Sequence, residues 1–159
     1  MLVPVEVTSL TLDSTVSSPV VILTEVGGRR TLSILVGHLE AGAIAIKTLN
    51  ADSDKPLTID LVKLAIEQLG GRLTRTVIFD YVENAFMARL FISSKAGTTV
   101  IESRACDAIA LAMRCDGGIF IEEAVFDKCG QARFFTEPNQ IKNTITSSDT
   151  IDFGKYHLE

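Results

Sequence analysis

From Val3 to Leu12 apolar residues recur at every second position for part of the run, the period of a strand with one buried face. Two β-branched segments follow, Val20 to Val26 and Thr31 to Val36. The pair Gly27-Gly28 between them tolerates the positive φ of a tight hairpin turn. The first quarter therefore predicts a small antiparallel meander. The spacing then changes: in GHLEAGAIAIKTLN, Leu39, Ala41, Ala43, Ala45, Ile46 and Leu49 favour a helix whose small residues permit close packing. A polar break runs from Asn50 through Asp52, Ser53 and Asp54 to Pro56. In PLTIDLVKLAIEQLGG, Val62, Ala65, Ile66 and Leu69 share a helical face, Thr58 is the expected N-cap, and Gly70-Gly71 supplies the stop.

The second half repeats the order. Arg75 to Val82 and Phe86 to Ser93 read as strands joined around Glu83-Asn84, and Thr98 to Glu102 as a third after Ala96-Gly97. In SRACDAIALAMRC, one stripe carries Ala105, Ala108, Ile109, Ala112 and Met113, and the opposite stripe carries Arg104, Asp107 and Arg114. Ile119 to Ile121 is a short strand, and EEAVFDKCG a final helical turn or two. Strands in clusters with helices between them predict an α+β fold with a mixed, largely antiparallel sheet and about three helices. One domain is expected over residues 1–130, followed by a polar tail over 131–159 in which the periodicity is lost.

Composition narrows the function. With 47% hydrophobic residues among 159, the chain can bury one real core. Its 15 basic and 20 acidic side chains give a net charge of −5, so nucleic acid would be attracted only by a local basic region or through metal ions. Cys106, Cys115 and Cys129 show neither disulfide nor zinc spacing. No signal-peptide pattern or apolar run of membrane-spanning length is present, so a cytoplasmic, membrane-free protein is expected.

The chain carries no G-x-S-x-G, no Cys/His pair in a recognisable arrangement, and neither glycine-rich nucleotide-binding fingerprint, which removes triad hydrolysis and P-loop or dinucleotide chemistry. What remains is a set of carboxylates near helix starts: Glu40, Asp60 and Asp107. Each complements a helix dipole if it acts alone. Brought together by the fold, they would instead be oxygen ligands for Mg²⁺ or Mn²⁺, able to activate water against a phosphodiester. Arg104 and Asp107 form either an ordinary i,i+3 ion pair or an anion grip in which Asp107 steadies the guanidinium. Cys106 fits a small buried side chain better than a reactive thiol. His38 suits a surface position at a helix start better than a metal ligand or general base, and Arg29-Arg30 at the hairpin tip suits either a solvated turn or a phosphate contact.

Three segments in order, Gly37-x-x-Glu40-Ala41, then Pro56-Leu57-Thr58-x-Asp60, then Ser103-Arg104-x-x-Asp107-Ala108-Ile109, resemble the motifs of the bifunctional nuclease family, with similarity running from about Val5 to Val125. Two departures stand out: Ile59 replaces the histidine of the family pattern, and Ala105-Cys106 replace its Pro-Ser. The resemblance implies an α+β fold, self-association, and for some members metal-dependent cleavage of DNA and RNA, with Glu40, Asp60, Asp107 and Arg104 as the carried-over site. The alternative is a non-catalytic oligomeric module that recognises an anion or a partner protein.

Overall fold

Alternation in the first segment becomes a strand, β1 (Leu2–Asp13), whose Val3 and Val5 are buried while Leu2, Pro4 and Glu6 are exposed. β2 (Ser18–Glu25) and β3 (Thr31–Leu35) complete the meander, each antiparallel to its predecessor. Gly27 and Gly28 between them take φ of 105° and 75°, the left-handed conformations that a Cβ would disfavour. The computed structural model describes residues 1–13, 17–28, 30–51 and 55–130. The polar tail, His157 and Arg29 lie outside the described residues.

Two helices follow, α1 (His38–Thr48) and α2 (Thr58–Gln68). Gly70, at φ 78°, closes α2 in a Schellman pattern: its N–H bonds Glu67 O and that of Gly71 bonds Ile66 O, which satisfies two free carbonyls. At the start of α2 the sequence expectation shifts by one residue. Leu57 is the N-cap and Thr58 is already helical, so no threonine hydroxyl caps the helix, and the Leu57 N–H donates to the Asp60 carboxylate.

The second meander is β4 (Arg72–Val82), β5 (Ala85–Ser94) and β6 (Gly97–Arg104), then α3 (Ala105–Ala112), β7 (Gly118–Glu122) and α4 (Glu123–Gly130). The "turn or two" expected at the end is thus a fourth, eight-residue helix. The sheet runs β3-β2-β1-β7-β4-β5-β6, and β7 pairs antiparallel with β1 and parallel with β4. The short last strand sews the two meanders together.

Register sorts the side chains. Phe86, Ala88, Leu90 and Ile92 of β5 are buried on one face together with Leu73, Ile78, Ile119, Ile121, Val3 and Val5. The same hydrophobic cluster takes in Ala41 and Ile44 of α1, most of α3, and Val125 and Phe126 of α4, while Ile59 and Ile66 of α2 pack against it. All four helices therefore lie on one face of the sheet. Fully buried Leu23, Ile44, Ile78, Ile109 and Ile121 each contribute roughly 1.5–3 kcal/mol of transfer free energy. α3 is buried on every side except at Asp107, because four alanines and Cys106 let it sit between its neighbours. The two-stripe pattern read from its sequence is therefore incomplete: Ala110 and Leu111 are also inside, and Arg114, beyond its end, is buried rather than facing solvent.

Candidate functional site

Glu40, Asp60 and Asp107 each occupy the third position of a helix, where a carboxylate meets free backbone N–H groups and the positive end of the dipole. From that common start their partners diverge. Asp60 Oδ2 accepts the Leu57 N–H at 2.8 Å, and its Oδ1 accepts Arg114 Nε at 2.5 Å. Burial works against the Asp60 charge, but the backbone N–H and the guanidinium outweigh it and hold the carboxyl below its ordinary range. Both oxygens are committed.

Arg114 was placed by sequence on an open stripe. It instead ties three helices: besides Asp60 of α2 it donates from Nη1 to Ala110 O at 2.9 Å and from Nη2 to Ala43 O of α1 at 2.9 Å. Nothing in the local pattern signalled this, although a lone arginine just past an alanine-rich helix offers a hint, since an apolar helix end leaves carbonyls to satisfy.

Glu40 and Asp107, in contrast, converge on Arg104. This arginine is the last residue of β6 and the N-cap of α3, so it stands one position outside the helical turn in which the sequence placed it. Its Nε donates to Asp107 Oδ2 at 2.7 Å, and its Nη2 donates to Asp107 Oδ1 at 3.1 Å and to Glu40 Oε1 at 2.9 Å. The guanidinium is gripped on two sides and its pKa is raised, first by the Asp107 hydrogen bonds. The side chain nevertheless remains 60% exposed. A ligand can reach it.

Glycine at position 37 is part of this geometry. It is the N-cap of α1, and a Cβ there would run into the Glu40 carboxylate, which folds back over it. Cys106 sits between the two acids, and one ligand atom from each of Glu40, Cys106 and Asp107 falls within 4.8 Å of the others. Burial pushes the Cys106 thiol up, so the helix N-terminus does not make it a ready thiolate. Hard carboxylate oxygens suit Mg²⁺ or Mn²⁺, whereas a buried neutral thiol does not. Asp60 stands outside this group. The carboxylates that remain are already engaged by Arg104, so while the guanidinium holds them the donor set does not fit a divalent ion.

The other candidates fall away from this cluster. Arg30 stacks over Phe126 with Cζ 4.5 Å from the ring centroid and is paired with Glu25 and Glu123, which makes it a fastener for α4 rather than a free phosphate contact. His38 is exposed at the first position of α1. Ile59 is partly buried and packs against the core.

A one-sided α+β sheet that carries an arginine held by two helix-start carboxylates defines a small domain with an accessible acid–arginine cluster. The chain belongs to the bifunctional nuclease domain family, whose model matches residues 21–133. It is also 33% identical over 155 residues to an uncharacterised protein of Mycobacterium tuberculosis, found in strains CDC 1551 / Oshkosh and H37Rv, with 98% of this chain and 92% of that one covered. No helix among the described residues is long and apolar enough to cross a membrane.

Proposed function

We propose that this protein acts on nucleic-acid phosphodiesters, with Arg104 as the phosphate-gripping residue and Glu40 and Asp107 as the acids of the reaction. The observation that carries this reading is the convergence of Glu40 and Asp107, from two different helices, on one exposed arginine. A bidentate carboxylate fixes the guanidinium plane, and its outward N–H groups match the geometry of a phosphate. Membership of a family named for nuclease activity supports a phosphodiester as the class of substrate. Glu40 and Asp107 orient the guanidinium for that phosphate contact, and engaged with it in this way they do not fit a divalent ion. Asp60 has a different part. It fastens α2 to α1 and α3 through Arg114.

The test is cleavage of single-stranded DNA and RNA by the purified chain with Mg²⁺ or Mn²⁺, set against the E40Q/D107N variant. Equal cleavage by both, or none by either, removes the reading. A second reading, a non-catalytic module that assembles with copies of itself, is favoured by α2, which buries none of its own residues yet exposes Leu61, Val62 and Leu64, with Leu69 just beyond its end.

A further inference from the structure

The face of the sheet opposite the helices is uncovered among the described residues, and it is not a uniform apolar surface. Register places Val77, Arg75 and Arg72 of β4 on it, opposite Arg89, Phe91 and Ser93 of β5. Val77 is buried but does not belong to the hydrophobic cluster under the helices, as expected for a residue on this second face. Three flat groups lie side by side on adjacent strands. Arg75 rests over the Phe91 ring with Cζ 4.2 Å from the centroid, and Arg89 rests over the Phe79 ring at 3.7 Å. On β7 the Phe120 ring lies over Gly118, where a Cβ would come within 2.9 Å of it, so glycine there lets the ring lie down on the sheet.

Neighbouring strands are about 4.8 Å apart, so these platforms are spaced for successive unstacked bases or their sugars. A guanidinium held over a phenyl ring can offer a further cation–π or stacking contact to a base while its N–H groups meet phosphate. Charge selects among occupants. Arg89 shares its charge with Glu102, but Arg75 and Arg72 have no carboxylate partner among the described residues; of the other acids of this face, Asp80 is neutralised by Lys128, and Glu6 and Glu122 lie toward β1. A second copy docking face to face would bring unpaired arginines against each other in a desolvated interface, which is unfavourable. A polyanion with exposed bases meets both the charge and the rings.

We infer that the helix-free face of β7, β4 and β5 is a docking surface for single-stranded nucleic acid, read by stacking and phosphate contact without base-specific recognition. It is separate from the Arg104 cluster, which is tied to α1 and α3, and it gives an acidic protein a local means of holding a strand.

The test is fluorescence anisotropy of a labelled fifteen-residue oligothymidylate with the full chain in EDTA, so that binding is read without metal. Binding to the single strand should exceed that to a duplex of the same length. The log–log salt slope should be about −1.4 to −2.1, for two to three phosphates at about 0.7 each. R75E and F120A should each weaken binding about tenfold or more. Arg75 is exposed, so R75E leaves the fold intact, and F91L serves as a second ring deletion that keeps apolar packing. Unchanged affinity in R75E and F91L, or equal affinity for duplex, overturns the proposal. A shift in sedimentation mass caused by R75E overturns it as well and assigns the face to a second copy. Loss of cleavage activity with this binding intact would instead count against the phosphodiester reading alone.

Discussion

Arg114 and Asp60, separated by 54 residues, meet at 2.5 Å between Nε and Oδ1, and the same guanidinium caps the carbonyls of Ala110 and Ala43. One side chain thus fastens α1, α2 and the end of α3, and the acid that completes it belongs to the Pro56-Leu57-Thr58-x-Asp60 motif. That motif is explained here by helix positioning.

Removing the arginine leaves two carbonyls and a carboxylate without their partner. R114A is expected to cost about 3 kcal/mol, at the lower end for breaking a buried pair because Asp60 is itself one-third exposed. Urea denaturation checks this, and R114K should recover little, since an ammonium cannot reach three acceptors in the guanidinium's plane.

Acid should expose the same pair. The Asp60 carboxyl is held below its ordinary 3.8, so its contribution is fully present above that value and is lost as pH falls through the lower folded-state pKa. The stability gap between wild type and D60N should therefore be constant from neutral pH to about pH 5 and shrink below about pH 4. Asp80, held low first by Lys128 and then by the Tyr81 N–H, moves in the same direction and remains in the D60N background. A gap that widened on acidification would contradict the assignment.

At Arg104 the expected separation is between activity and stability. Exposed pairs contribute about 0.2–1 kcal/mol, so E40Q should barely move the melting midpoint while it loosens the guanidinium. G37A should mimic it, because the added methyl displaces the Glu40 carboxylate, a flexible side-chain end, without touching backbone. Cleavage or phosphate binding should fall in both variants. A G37A protein with full function would show that the Glu40 position does not matter.

The uncovered leucines of α2 give a prediction about assembly. If self-association uses this helix, L61E and L64E should lower the sedimentation mass without loss of helical signal, since both positions are exposed. An unchanged mass would place any assembly elsewhere.

Much of this architecture is legible in the chain because strand and helix periods are local. The β5 alternation and the Gly70-Gly71 stop need no distant partner to be read, and both stand as expected. Of the site, Arg104 and Asp107 are legible as a pair three residues apart, and Glu40 as a helix-start acid. That Glu40 joins them while Asp60 does not depends on how α1 and α2 flank α3, which no spacing encodes. Arg114 is hidden for the opposite reason: charge suggests solvent, and only tertiary structure reveals the carbonyls that draw it inside. The arginine-over-phenylalanine pairs were equally silent, since strand alternation indicates two faces without saying that one lacks a cover.

The position of β7 has a consequence for how the chain reaches its fold. This strand is the last of the sheet in sequence and its middle in space, joining Leu2 through Val5 to Arg75 through Ile78. Until Glu122 is available, each meander carries an open strand edge, β1 on one and β4 on the other, with Val3 and Ile78 exposed beside it. Folding should therefore be slow for the length of chain, limited by a late closure of high contact order. A nascent or truncated chain that stops before Gly118 should be two aggregation-prone halves, not a smaller version of the domain.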